Sequence, residues 1–342
     1  MSKPKVILDP AFRRLENIFT PVDLDRLHSI ADVVWGKNEE MPAGELDAVK
    51  SEVVAIITGH WRHGDVSSYP NLRAVLEVSG GLPSPDALDY QTCFARGIRV
   101  LSCAPAFGPA VAELAFGLAI ASSRQIVSNH EAFRKGEANW SHVDDVGTFT
   151  LYGKQMGFIG FGGLARSLKK LLMPFECPIQ VYDPWLTDRY LRDQGVEPVD
   201  LETLLKTSRF IFVLAVPSAS NSAMIDRQLL ETIPSDSVFL LMSRSHVVDF
   251  DALTELLLEG RFKAGIDVYP NEPLPMEHPI RQAPNVIFSS HRAGAIGDAL
   301  LNIGHIVVKD LEAVLNGLMP QYMQVAQPEF IRLRAAEESG NG

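Results

Sequence analysis

The stretch "MGFIGFGGLARSL", residues 156–168, decides how the rest of the chain is read. It begins as an apolar strand-like run and ends by opening a helix. Gly160, Gly162 and Ala165 stand between the two at G-x-G-x-x-A spacing. Gly160 allows a tight turn, Gly162 lets the backbone approach a pyrophosphate, and Ala165 is small enough for close helix packing. The free N–H groups and dipole of the helix N-terminus attract phosphate. The next strand ends in "VYDP", with Asp183 eighteen residues after Ala165. A carboxylate there takes the ribose hydroxyls of NAD and repels the 2′-phosphate of NADP. A lone match of this kind is weak, since a Gly-rich turn can bind nothing. Strand, helix and acid together point to a dinucleotide.

Outward from this loop, short β-branched runs alternate with helical patterns, which predicts parallel sheets built from βα units. The runs upstream are "KVILD" (5–9), "VVAIIT" (53–58), "AVLEVS" (74–79) and "IRVLS" (98–102). Those from the loop onward are "QMGFIG" (155–160), "IQVYD" (179–183), "FIFVLAV" (210–216), "SVFLLM" (237–242), "KAGIDV" (263–268) and "NVIFS" (285–289). Thr20 and Pro21 cap and start a helix through about Ala31. "DFDALTELLLEG" (249–260) reads as a helix closed by glycine. Residues 109–128 read as one long buried helix, and about 295–317 as a final apolar helix. The fold class is therefore α/β, with two Rossmann- or flavodoxin-like domains of parallel sheet and a ligand cleft expected between them.

The totals narrow the partners. The chain has 342 residues, 46% apolar and 21% charged, which are values of a globular protein of two domains. A net charge of −11 and a pI near 5.3 argue against nucleic acid and an anionic membrane surface. Three distant cysteines without CxxC spacing predict neither a disulfide framework nor a structural zinc site, and no metal is expected. No uncharged apolar run approaches the length of a membrane span, and no secretory leader is read at the N-terminus. A soluble cytoplasmic protein is the expectation.

Four polar residues follow strand-like runs in the second half. They are Arg244 in "LLMSRSH", Asp267 and Glu272 in "AGIDVYPNEP", and His291 in "FSSHRAG". Strand ends of an open parallel sheet face the ligand crevice. Arg244 can fork onto a carboxylate. His291 can give or take a proton near neutral pH. Glu272 can bond its other ring nitrogen and hold the tautomer. Each also has an ordinary reading as a surface residue or turn cap, and spacing alone leaves both open.

The block 237–294, "SVFLLMSRSHVVDFDALTELLLEGRFKAGIDVYPNEPLPMEHPIRQAPNVIFSSHRAG", resembles the signature region of the NAD-dependent D-isomer-specific 2-hydroxyacid dehydrogenases. So do "YGKQMGFIGFGGLA", "VYDP" and "AVAEL" (110–114), and the resemblance runs over about residues 50–320 in the expected order. It implies that Arg244 binds the substrate carboxylate and carbonyl, that His291 is the general acid/base and that Glu272 is its carboxylate partner. It implies a pyrophosphate loop at Gly160, Gly162, Gly163 and Leu164, a ribose acid at Asp183, and an aspartate near the nicotinamide at Asp267. Pro217, Ser243 and Gly294 complete the implied cofactor contacts, and the amides of Ser79, Gly80 and Gly81 are implied to hold the substrate carboxylate. The implied domains are a discontinuous substrate domain, 1–110 with 295–330, and an NAD-binding domain, 111–294. A homodimer is expected.

The implied activity is hydride transfer between NAD(H) and a 2-hydroxy or 2-oxo acid, of glyoxylate, hydroxypyruvate or sugar-acid type. An NAD-sensing corepressor-like protein and a short phosphoglycerate- or phosphite-type dehydrogenase are the alternatives. Several positions depart from the family pattern. Ala165 takes the third loop position, and Ser245 stands where glycine is usual. "GGLPSPDALDY" (80–90) carries two prolines, and Arg292 stands where an apolar residue is usual. The loop "TGHWRHGD" (58–65) reads either as pocket lining or as an ordinary surface loop.

Overall fold

The computed structural model describes residues 3–138, 140, 147–216, 218 and 221–332. The chain divides into two compact units, Met1–Gly108 with Ala295–Gly342, and Pro109–Gly294. In chain order, the first unit contributes β1 Lys5–Asp9, β2 Asp32–Gly36, β3 Val53–Thr58, β4 Ala74–Glu77 and β5 Arg99–Ser102. The second contributes β6 Met156–Ile159, β7 Ile179–Tyr182, β8 Glu197–Pro198, β9 Phe210–Val213, β10 Val238–Leu241, β11 Lys263–Ile266 and β12 Val286–Phe288. The two-residue β13, Gln324–Val325, returns to the first unit.

The first sheet has the order β13-β5-β4-β3-β1-β2, and only β13 is antiparallel to its neighbour. Its central strands bury both faces. Leu8, Ile57, Leu76 and Leu101 point into one core, and Ile7, Ile56, Val75 and Val100 into the other. Helix Gly297–Leu315 covers the former through Ile303, Val307 and Leu311. It approaches closely because residue 304 is glycine, where a Cβ would sit 2.3 Å from the Ile18 carbonyl oxygen. Buried Asp310 in the same helix accepts the amides of Gln321, Tyr322 and Met323, which docks β13. Thr20 and Asp23 form the capping box of helix Pro21–Ile30, as Thr20-Pro21 predicts.

The second sheet has the order β12-β11-β10-β9-β6-β7-β8 and is parallel throughout. The order reverses between β6 and β9, the switch point at which such sheets bind ligands. Phe158, Phe210, Phe212 and Phe239 are fully buried. Each such side chain contributes roughly 1.5–3 kcal/mol of burial free energy.

The linking helix differs from its reading as one element over 109–128. It runs Gly108–Ser123 and breaks at Gln125, whose φ of +49° starts a second helix, Ile126–Lys135. No glycine or proline marks that break. The segment Ala104–Ser123 is long and apolar enough to cross a membrane by length and composition, with mean hydropathy 1.5 and 44% burial. Glu113 interrupts this segment, so it contains no uncharged run of that length. In the structure Leu118 packs on β11, 3.1 Å from where a Cβ on Gly265 would lie.

Candidate active site and cofactor loop

β6 delivers the glycine loop at the switch point of the second sheet. Gly160 has φ +91°, and a Cβ there would lie 2.7 Å from Ala215 Cα. Its N–H donates to the Tyr182 carbonyl at 2.8 Å, so β7 and β9 both crowd it and only glycine fits. Gly162 caps helix Gly163–Leu172, and a Cβ on Gly162 or Gly163 would meet open space. Leu164 is half-buried and Ala165 fully buried. Asp183, just past β7, reaches back into the loop. Its Oδ2 accepts the Phe161 N–H at 2.8 Å and its Oδ1 the Trp185 N–H at 2.9 Å. Each oxygen keeps a lone pair for a hydroxyl. An exposed glycine cradle, a helix N-terminus and a carboxylate that repels a 2′-phosphate fit NAD. Pro217 lies outside the described residues.

The polar quartet stands at the exits of β10, β11 and β12. Ser243 is buried and Arg244 exposed, with Arg244 Nη1 donating to the Ser243 carbonyl at 2.7 Å. His291 Nδ1 donates to Glu272 Oε2 at 2.6 Å. The other Glu272 oxygen accepts the Tyr269 N–H at 3.0 Å. Burial raises the Glu272 carboxyl, but these bonds and the charges of His291 and Arg244 outweigh it, and the group sits below its ordinary value.

His291 has φ +53°, an uncommon backbone for a non-glycine residue. Asp267 holds it there. The Asp267 carbonyl accepts the His291 N–H at 2.8 Å, while its Oδ1 and Oδ2 accept the amides of Arg292 and Ala293 at 3.0 and 3.3 Å. The buried Asp267 carboxylate thus braces the His291 turn, a role its position in the sequence does not disclose. Gly294 ends this turn and the second unit. The Arg292 side chain is exposed. Tyr269 is a further brace that sequence reading missed. Its hydroxyl, pushed up to about 12 by burial, donates to the Ser289 carbonyl at 2.7 Å. An aromatic two residues after the aspartate was its only signal.

In the first unit, Ser79, Gly80 and Gly81 form the turn after β4. Gly80 has φ +109°, and a Cβ there would lie 2.9 Å from Phe107 Cε2. The Ser79 N–H donates to Glu77 Oε1 at 3.0 Å and the Gly81 N–H to Ser79 Oγ at 3.3 Å. Two of the three amides already have acceptors inside the turn. The loop 58–65 is largely structural. Trp61 and His63 are buried, the Trp61 indole donates to the Gly64 carbonyl, and Arg62 pairs with Glu40. Burial pushes the His63 imidazole down to about 4.

The family description "D-isomer specific 2-hydroxyacid dehydrogenase, NAD binding domain" matches residues 116–293. A glyoxylate reductase of Thermofilum pendens is 27% identical over 349 residues, covering 99% of this chain and 98% of that one. A hydroxypyruvate reductase of Thermotoga maritima is 30% identical over 244 residues, covering 70% and 77%. The crystal structure of a phosphoglycerate oxidoreductase from Rhizobium etli superposes with a TM-score of 0.85 at 34% identity, covering 95% of this chain and 99% of that one. These findings support NAD-linked hydroxy- and oxo-acid oxidoreduction, and the corepressor-like and short phosphoglycerate- or phosphite-type alternatives are not favoured. A matched cofactor domain over more than half the chain, and likeness along nearly all of it, make this chain a member of the D-isomer specific 2-hydroxyacid dehydrogenase family, an NAD-dependent oxidoreductase of 2-hydroxy and 2-oxo acids.

Proposed function

We propose that the chain reduces small 2-oxo acids of the glyoxylate or hydroxypyruvate type, or sugar-acid-derived ones, with Arg244, Glu272 and His291 as the reacting set. The observation that carries this is the 2.6 Å contact between His291 Nδ1 and Glu272 Oε2, on a backbone braced by Asp267. Bound NADH supplies the hydride. Arg244 neutralises the substrate carboxylate and polarises its carbonyl. Glu272 accepts the hydrogen bond of His291 Nδ1–H and stabilises the imidazolium, whose Nε2–H delivers a proton to the developing alkoxide. Gly160, Gly162, Gly163 and Leu164 cradle the pyrophosphate, Asp183 takes the ribose, and Ser243, Asp267 and Gly294 line the nicotinamide side.

In this reading the first unit is the substrate domain, with Ser79–Gly81 at the carboxylate, and the second is the cofactor domain. A cytoplasmic homodimer is part of the same proposal. Helix Ile126–Lys135 has no buried residue and exposes Ile126, Val127 and Phe133, which supports a partner copy on that face. The test is stopped-flow oxidation of NADH with glyoxylate, hydroxypyruvate and larger 2-oxo acids. His291→Asn is expected to lower kcat on the best acid by roughly 10²–10⁴-fold. A variant with full activity overturns the mechanism.

A further inference from the structure

The carboxyl edge of the first sheet carries a row of polar side chains that the mechanism above does not use. Asp9, Thr58, Glu77 and Ser102 lie in register across β1, β3, β4 and β5, and each is 1% exposed or less. Glu77 is the one that holds the Ser79–Gly81 turn. Its Oε1 takes the Ser79 amide, and its Oε2 is buried without a hydrogen-bond partner among the described residues.

Arg13 grips the same turn from the other side. Its Nε donates to the Val78 carbonyl at 2.6 Å and its Nη2 to the Ser79 carbonyl at 2.9 Å. The guanidinium lies over the rings of Phe12 and Phe107, at 5.0 and 5.6 Å, and Phe107 is the ring that crowds Gly80. Nη1 has no acceptor among the described residues. Arg13 leaves the end of β1, beside the point where the order of the first sheet reverses between β1 and β3. Sheets of this kind bind ligands there. With two of the three turn amides engaged inside the turn, the backbone alone offers an arriving carboxylate little. A fixed, half-buried cation supplies what is missing.

We propose that Arg13, locked by the Glu77-anchored turn, is a second substrate-binding arginine that gives the Ser79–Gly81 turn its affinity for the anionic end of the 2-oxo acid. The proposal rests on the reading of that turn as the carboxylate site. Glu77 adds a pH dependence. Burial pushes its carboxyl from 4.5 up to about 7, against the hydrogen bonds of Ser79 and the charge of Arg13. Of the other titratable groups near this pair, the Cys103 thiol is pushed up to about 12 by burial, burial also raises the Asp9 carboxyl in the same row, and His60 packs against the Phe12 ring. Once ionised, Glu77 competes with the substrate for Arg13. Anion affinity therefore falls as pH rises through about 7. Stability moves the same way. The unfolded carboxyl ionises from 4.5 upward while the folded one stays protonated, so stability falls toward about pH 7.

The test is calorimetric titration of oxalate, a two-carbon dianion shaped like glyoxylate, into the NADH-loaded full chain and its variants. Arg13→Met is expected to weaken oxalate by about 10–100-fold, as for loss of a charge-assisted contact, with NADH affinity unchanged. Arg13→Lys, which keeps the charge and loses the fork, is expected to lose part of that and covers the case of an unfolded Met variant. Glu77→Gln is expected to abolish the pH dependence of oxalate affinity around neutrality. Equal oxalate affinity in wild type and both Arg13 variants overturns the proposal, as does a wild type that binds no oxalate. These outcomes are separate from turnover. A dead His291→Asn enzyme beside an unaffected Arg13→Met leaves the reaction assignment standing and removes only this inference.

Discussion

The two sheets finish their strands differently. In the second unit the polar groups reach across to a neighbouring exit. Asp183 after β7 bonds the loop after β6, and Asp267 after β11 bonds the turn after β12. Glu272 holds His291 in the same manner. In the first unit the side chains turn back on their own strand. Thr58 bonds the His60 carbonyl, Glu77 the Ser79 amide and Ser102 the Ala104 amide, each two residues on. Arg13, from β1 to the β4 turn, is a crossing contact there. The contrast separates two uses of one architecture. A local bond ends a strand, whereas a crossing bond fixes the relative position of groups on different strands, and proton transfer depends on that position.

Three substitutions probe the contrast, in descending size of effect. Glu272→Gln cuts a crossing contact and should lower kcat/KM by about 100-fold. The Glu272 carboxyl lies below its ordinary value, so its ionised contacts stabilise the fold above the ordinary carboxyl range. That contribution is lost as pH falls through the depressed value. Melting temperature measured against pH should therefore lose this acid-side decline in the glutamine variant, and an unchanged acid limb would count against the pairing. Gly160→Ala puts a Cβ against Ala215 at φ +91°. Stability measured in urea should drop by about 1–3 kcal/mol, and NADH affinity read by fluorescence titration should fall by about tenfold. Ser102→Ala removes an own-strand bond in the first unit. It should cost about 1 kcal/mol and leave kcat/KM within about twofold. A kinetic collapse there would erase the distinction between the two edges.

Much of the candidate site was legible because its residues lie in compact motifs. The G-x-G-x-x-A loop, Asp183, and the run from Arg244 to His291 each sit at a strand exit whose apolar run is plain in the sequence. The edge strand β12 was legible as "NVIFS", but the other edge strands were not. β2, with its mixed burial, and the two-residue β8 and β13 carry too little apolar pattern to stand out. The helix break at Gln125 has no glycine or proline to announce it. Glu77 did leave a trace, a lone carboxylate inside the apolar run "AVLEVS", and its burial gives that trace meaning.

The amino-acid sequence by itself determined the α/β class and the dinucleotide loop, which depend on periodicity and on local spacing that the chain carries wherever it folds. Spacing left two readings of Arg244, Glu272 and His291 open, and only the family resemblance pointed to them as a set. Tertiary structure alone decided that Asp267 braces a left-handed His291, that Tyr269 bolts Ser289, and that Arg13 and Glu77 close on one turn from two strands. Arg13 and Ser79 are sixty-six residues apart. Nothing local couples them. The parallel register of β1, β3 and β4 brings their strand ends to one edge, and that register exists only once the sheet has formed.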